Sequence, residues 1–361
     1  MLGSLVLVAG AASAQSNATV YGSVDAGLST FNDERGGHTN KVDSGNRSPD
    51  RIGFRGTEDL DGGLRAVFQL ENGFNVDDGA MKRNGVLFNR SAYVGLAGKA
   101  GTVTLGHMPD FMYEYVRVTG NGFLKSLYFF HPGNLDNQAN QFQIDNAIKY
   151  ETPAFGGFTL GAMNGMGEQP DSFNKNRSYS LGARYDGARL RGAAAYTVSN
   201  NRSLNLGAGL GIGSLLGQTL SKNPAAPDAT YTNFNADQVK SVGITAAYKA
   251  GNVTPHAMYT QIKLQARAGA ATMRTAELGA DIGIGAANTF GVSLASSRLE
   301  ELRWNQANLV DTVKLSVRTA VYAAAAFQRA SGAGVHAVIN GAAPASGQSQ
   351  RVLRVGVHHL F

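Results

Sequence analysis

The residues of this chain best suited to chemistry are guanidinium groups set at strand spacing. In the stretch RIGFRGTEDLDGGLRAVFQLENGF, positions 51–74, Arg51, Arg55 and Arg65 fall on one parity with Gln69 and Glu71. A guanidinium stays charged at any working pH and pairs with carboxylates and phosphates through a planar fork of donors. Several on one face make a track for anions, unless Glu58, Asp59 or Glu71 takes them up as structural partners. Acid–base, nucleophilic and metal chemistry find less support. The seven histidines, at 38, 107, 131, 256, 336, 358 and 359, stand outside any triad or metal-ligand context, and there is no cysteine. The expectation is a protein that is not an enzyme and carries no metal and no cofactor.

The other parity of the same stretch holds Ile52, Phe54, Leu64, Ala66, Phe68 and Leu70, split by an Asp-Leu-Asp-Gly-Gly turn. Successive strand residues point to opposite faces, so this is a hairpin with a charged side and an apolar side. The apolar side faces either a protein core or lipid. A mean hydropathy of −0.16, with no uncharged apolar run of about 18 residues, excludes a bundle of transmembrane helices. The opening residues, with Ala12-Ser13-Ala14 after a short apolar run, read as a signal peptide over 1–14, shortened at its start because no Lys or Arg precedes the apolar run. A single domain is expected over 15–361. The formal charge of +6 is dispersed among alternating segments, which in an exported chain argues against a nucleic-acid partner.

Alternation of period two recurs to the end of the chain. It predicts sixteen strands, near 19–31, 50–58, 64–75, 86–97, 102–107, 145–151, 158–168, 177–185, 189–199, 240–249, 253–264, 274–284, 288–298, 304–314, 319–329 and 350–361. Short connections alternate with long ones, the longest at 32–49, 108–144, 200–239 and 330–349. Short turns at one end and long loops at the other describe an up-and-down membrane barrel. Aromatic residues recur near strand ends (Tyr21, Phe31, Phe74, Tyr93, Tyr150, Phe158, Tyr185, Tyr248 and Phe361), as in the interfacial girdles of such barrels. The fold class expected is all-β, a 16-stranded antiparallel transmembrane β-barrel with its apolar parity in lipid and its arginines in a water-filled lumen.

At this point the sequence resembles the general trimeric porins of Gram-negative outer membranes, in their betaproteobacterial form. The likeness rests on ATVYGSVDAGL, the stretch already quoted, FNRSAYVGLAGKAGTVTLGH, NAIKYETPAFGGFTLGA and the terminal LRVGVHHLF. It implies a homotrimer in the outer membrane, among lipid and lipopolysaccharide, that passes small hydrophilic solutes and ions. The final aromatic residue, Phe361, resembles the signal read by the outer-membrane assembly machinery. The third long loop, about 108–144, is implied to fold inward and narrow the pore, with Tyr113, Tyr115, Phe123, Phe129 and Phe130 docking it.

The resemblance places a basic wall opposite that loop. By motif position it holds Arg51, Arg55 and Arg90; Arg65 and Lys149 share the lumenal parity. Asp110, Glu114 and Asp136 are expected on the loop's acidic side, tempered by Arg117 and Lys125. The balance implies moderate anion preference. Two positions depart from the family pattern: His107 and Gln143 stand where relatives often carry fixed positive charge, and a lumenal His107 could add charge at low pH. A channel selective for one anionic solute is the close alternative, and a barrel enzyme or an adhesin is a more distant one.

Overall fold

A computed structural model describes residues 16–119 and 126–361. The expected signal peptide, and Phe123 and Lys125 of the third loop, lie outside the described residues. The strands are β1 Ser16–Glu34, β2 Gly37–Ser44, β3 Arg51–Asp59, β4 Arg65–Gly73, β5 Ser91–Gly98, β6 Gly101–Pro109, β7 Gln143–Glu151, β8 Phe158–Gly165, β9 Ser178–Asp186 and β10 Leu190–Leu204. A two-residue ladder, β11 Ser214–Leu215 with β12 Gln218–Thr219, sits in a loop. The longer second half follows as β13 Phe234–Tyr248, β14 Val253–Ala266, β15 Gly269–Ile284, β16 Asn288–Leu299, β17 Leu302–Lys314, β18 Thr319–Ser331 and β19 Ser349–Leu360.

All but the small ladder join one antiparallel sheet, which closes where β1 pairs with β19, from Ser23 opposite Leu360 to Phe31 opposite Val352. On its other side β1 pairs with both β2 and β3. Those two run in the same direction, end to end, and share one position in the ring. The barrel therefore has sixteen strand positions.

Burial is inverted relative to a water-soluble protein. Leu278, Leu294 and Leu353 are 67%, 63% and 61% exposed on the outer face, while Ser29, Thr260, Glu277, Asn308, Gln328 and Arg354 are buried on the inner one. The apolar parity thus points to lipid, and every strand's backbone finds its partner in the closed ladder, as a bilayer requires. Tyr150, Phe158, Tyr248 and Phe361 are exposed at strand ends near the short turns, and Phe158 stacks on Tyr185 at 4.8 Å. Tyr21, Phe31 and Tyr93 depart from the girdle expectation. They lie on the lumenal parity, where Tyr21 and Tyr93 bond to Gln69 and Phe31 is fully buried against Tyr128.

The loop expected over 32–49 is mostly strand. β1 and β2 continue as a hairpin turned by Arg35 and Gly36, both at positive φ. Its sequence, GHTNKVDS, carries only Val42 as an apolar outward residue, so a search for apolar alternation passes over it. The loop expected over 200–239 is likewise shorter, because β10 runs on to Leu204 and β13 begins at Phe234.

Residues 45–50 make a detour between β2 and β3, and buried charges pin it. Asp25 accepts the backbone N–H groups of Asn46 and Arg47 at 2.9 and 3.3 Å, the Tyr322 hydroxyl at 3.0 Å and the Arg354 guanidinium at 3.1 Å. Arg354 also bonds Asp43 and donates to Ser29 at 2.9 Å. Asp50 accepts the Asp25 N–H at 2.6 Å and the Val76 N–H at 3.1 Å. Removing one partner of a buried ion pair leaves the other uncompensated, at a cost of about 3–5 kcal/mol. Arg354→Ala is expected to lower stability by that amount in denaturant unfolding followed by the fluorescence of Trp304, the sole tryptophan.

Candidate pore constriction

The third loop leaves β6 at Pro109 and lies on the inner wall. Asp110 caps the one-turn helix Phe111–Glu114, its carboxylate accepting Tyr113 N–H at 3.1 Å and the Asn137 side-chain amide at 2.9 Å. The helix can lie flat because the wall beneath it is bare. A Cβ added at Gly161 or Gly182 would come within 2.2 or 2.7 Å of Phe111, and one at Gly243 within 2.8 Å of Met112. Phe111, Met112 and Val116 are fully buried there, with Met108, Tyr115, Met163 and Met258.

From 126 onward the loop crosses to other walls. Ser126 Oγ and Leu127 N–H donate to Asn46 at 2.8 and 2.7 Å. The Tyr128 hydroxyl meets Ser29 at 2.8 Å and also Asp43, and Gln306 donates to the Tyr128 carbonyl at 2.9 Å. His131 bonds Asp136 and reaches Glu277 of β15 at 3.0 Å. Burial opposes charge on His131, but Asp136 and Glu277 outweigh it and push the imidazole up to about 10. External loops support this crossing. The short helix Leu206–Leu210 packs with Leu135, and Ile212 bridges to Val335.

The loop fills one side of the lumen and leaves the β3–β7 side open. A space of about 250 Å³ there is lined by Arg51, Gln69, Glu71, Arg90, Tyr93, Tyr113, Glu114 and Arg117. A second space of about 460 Å³, lined by Lys82, Arg83, Asn89, Gln141 and Gln143, shares Pro49, Arg90 and Asn140 with the first and so adjoins it. Glu71 lies between two guanidinium groups, 2.6 Å from Arg90 and 3.5 Å from Arg51. Arg90 also donates to the Tyr113 hydroxyl at 3.2 Å, and Arg117 lies 4.7 Å over the same ring. Asn89 positions Arg90: its side-chain amide exchanges hydrogen bonds of 3.0 Å with both backbone groups of Gly73, standing in for a strand partner. Lys149 is 2.9 Å from Glu114 and 3.6 Å from Glu151.

The structure thus brings Arg51, Arg90, Lys149 and Glu114 together and separates the other expected residues. Arg55 lies further along β3, over the Tyr21 ring at 5.0 Å, and Arg65 is exposed at the turn end of β4. Asp110 and Asp136 do not face the basic wall. Both are buried, Asp110 as a helix cap and Asp136 between His131 and Thr260 Oγ1, the latter at 3.0 Å. A docked loop spends its short carboxylates on its own anchoring, Asp110 on the Tyr113 N–H and Asp136 on the His131 and Thr260 side chains. His107 is not lumenal either: it pairs in register with Ala92 on the outward parity and bonds Asp145. It keeps the outward parity of Val103 and Leu105, both exposed on the same strand. Glu151 and Tyr113 were not anticipated at the aperture, although the parity of Glu151 with Lys149 signals the former.

A closed barrel with an apolar exterior, a polar interior and a charged aperture defines a membrane-spanning pore. The chain belongs to the Gram-negative porin family, whose model matches residues 2–333, and is an outer-membrane porin. Outer membrane porin protein 32 of Delftia acidovorans is 28% identical over 386 residues, covering 99% of this chain and 97% of its own. An outer membrane porin protein of Bordetella pertussis is 31% identical over 231 residues, 54% of this chain and 58% of its own. Among solved structures, the anion-selective porin from Comamonas acidovorans matches this fold at TM-score 0.77 and 24% identity, covering 96% of this chain and 100% of that one.

The glycine floor offers a direct test of loop docking. Gly182→Leu is expected to cost about 1–3 kcal/mol through overpacking and, by lifting the Phe111 helix, to change single-channel conductance in a planar bilayer. Unchanged conductance would show that the helix does not set the aperture.

Proposed function

We propose that this porin is a water-filled channel for passive diffusion of small hydrophilic solutes and ions, that it prefers anions, and that it works as a homotrimer. The observation that carries the preference is the charge around the aperture. Four cations, Arg51, Arg90, Arg117 and Lys149, face three carboxylates, Glu71, Glu114 and Glu151. One surplus unit charge at about 5 Å in a water-like medium is worth about 0.8 kcal/mol, roughly a fourfold preference. Arg55 on one side, and Lys82 and Arg83 on the other, extend the basic track. Solved structures of similar fold agree with this reading, one being an anion-selective porin and another an outer-membrane protein in a trimer form.

The acidic balance depends on pH. Burial pushes the Glu114 carboxyl up to about 7, despite Lys149 beside it. As pH falls through that value Glu114 takes a proton and loses its negative charge, so the surplus of cations grows from one to two. Anion preference is expected to rise between pH 8 and 6.

The test is the reversal potential of the reconstituted channel across a KCl gradient at low ionic strength, where screening is weakest. Anion selectivity is expected in the wild type, reduced in Arg51→Ala and Arg117→Ala and increased in Glu71→Gln. Its pH dependence should vanish in Glu114→Gln. Cation selectivity in the wild type would overturn the charge assignment, and absence of conductance would overturn the channel. The convergence of Lys82, Arg83 and Arg90 with Asn89, Asn140 and Gln143 in the wider space favours a second reading, a channel selective for one organic anion. Current that saturates with such an anion would distinguish it.

A further inference from the structure

The tyrosines on the charged side of the lumen use their hydroxyls differently. Tyr21 and Tyr115 donate to the carboxylates of Glu71 and Glu151 at 2.9 and 2.6 Å, and Tyr93 donates to Gln69 at 2.8 Å. Each of those protons has an acceptor in the protein. The Tyr113 hydroxyl instead accepts, taking an N–H of Arg90 at 3.2 Å. Among the described residues no acceptor meets its own proton, and the side chain lines the open space of about 250 Å³ beside the loop.

The charges that face this phenol are mostly positive. Arg117, from the same loop, lies 4.7 Å over the ring. Arg90 comes from the segment before β5, and Arg51 from β3, where Ser48 and the Pro49 carbonyl hold its guanidinium at 2.9 and 3.0 Å. Against them stands Glu71 of β4, which Arg90 and Arg51 already share. Glu114, the next residue on the helix, turns to Lys149 of β7 at 2.9 Å, and Asp110 turns to the Tyr113 backbone N–H. A hydroxyl among three guanidinium groups and one shared carboxylate stands where a passing anion would rest. Burial opposes ionisation of the phenol, but Arg117 and Arg90, with Arg51, outweigh both burial and Glu71 and hold it below the ordinary tyrosine range.

We propose that Tyr113 is a specificity-determining residue with two states: as a neutral phenol it donates its proton to an anion in the aperture, and as a phenolate it is a tethered anion that takes that anion's place. The inference rests on the anion-preferring channel proposed above. When the phenol gives its proton to hydroxide, four cations against three carboxylates become four against four negative charges, and the donor is lost in the same step. The guanidinium groups stay charged throughout, so a preference of roughly fourfold falls toward none. The Glu114 carboxyl, pushed up to about 7, titrates in a lower window, so the two groups act in succession as pH rises.

The experiment is the reversal potential of the reconstituted channel across a KCl gradient at low ionic strength, taken in steps from about pH 8 to about pH 10, the ordinary tyrosine value. The wild type is expected to lose most of its anion preference over that range. Tyr113→Phe should start lower, because the donor is gone, and then stay level. Arg117→Gln should move the change to higher pH, and the near-ultraviolet absorbance of tyrosinate should move with it, which keeps the test open should Tyr113→Phe fail to fold. The change above pH 8 should persist in Glu114→Gln, which has no carboxyl there to titrate. Anion preference that holds to about pH 10, falls equally in Tyr113→Phe, or falls at the same pH in Arg117→Gln would overturn the inference alone. Cation preference already at about pH 8 would overturn the reading beneath it, and the inference with it.

Discussion

Everything in this molecule depends on the seam where the last strand meets the first. Gly22 donates its N–H to the Phe361 carbonyl at 3.0 Å, and Phe361 returns the bond to Gly22 at 3.2 Å. In hydrocarbon an unpaired backbone group costs several kcal/mol, so a sheet open at this seam could not remain in the bilayer. Closure removes both edges at once, and only then do the two parities become two environments, lipid outside and water inside. At the same seam Phe361 is exposed to the outside, while Ser23 and Asp25, a few residues along, are buried within.

Once the interior is aqueous, the problem becomes how to narrow it. The chain does so by moving charge and hydrophobic surface to separate places. The loop's apolar residues dock on a wall cleared by glycines, and its polar backbone is secured by Asp110, Asn137 and Asn46. The charges that meet solutes come mainly from the opposite side, where Asn89 and the detour over 45–50 hold Arg90 and Arg51 against a common Glu71. Position and charge are therefore coupled at Glu71: the carboxylate that orients both guanidinium groups also cancels one of them.

The barrel was legible in the sequence because period two is a local property, and Arg51, Leu278 or Leu353 declares its face by parity alone. The sixteen positions followed from counting such segments. The hairpin of β1 and β2 was not legible, since polar strands standing beyond the apolar band carry little apolar alternation. Nor was the fate of the loop carboxylates. Parity does not apply to a loop, and whether Asp110 or Asp136 faces solute or backbone depends on docking against residues such as Thr260 and Asn137 that are distant or unremarkable in sequence. His107 misled for a different reason: its parity, shared with Val103 and Leu105, already points outward, and only the family pattern suggested a lumenal charge there. The Asp25 and Arg354 pair lies 329 residues apart in sequence, and its partnership becomes visible only when the ring closes.

The third loop is anchored on both sides of the lumen, on the glycine floor of β8, β9 and β13 and again through Tyr128 and His131 on β15, β17 and β1. Mechanically it is a crossbeam rather than a cantilever. A cantilever would leave the aperture indifferent to the outline of the barrel. With two feet, the loop takes its place in the lumen from walls on both sides of the ring, so the outline of the barrel and the setting of Glu114 beside Arg51 and Arg90 belong to one mechanical unit.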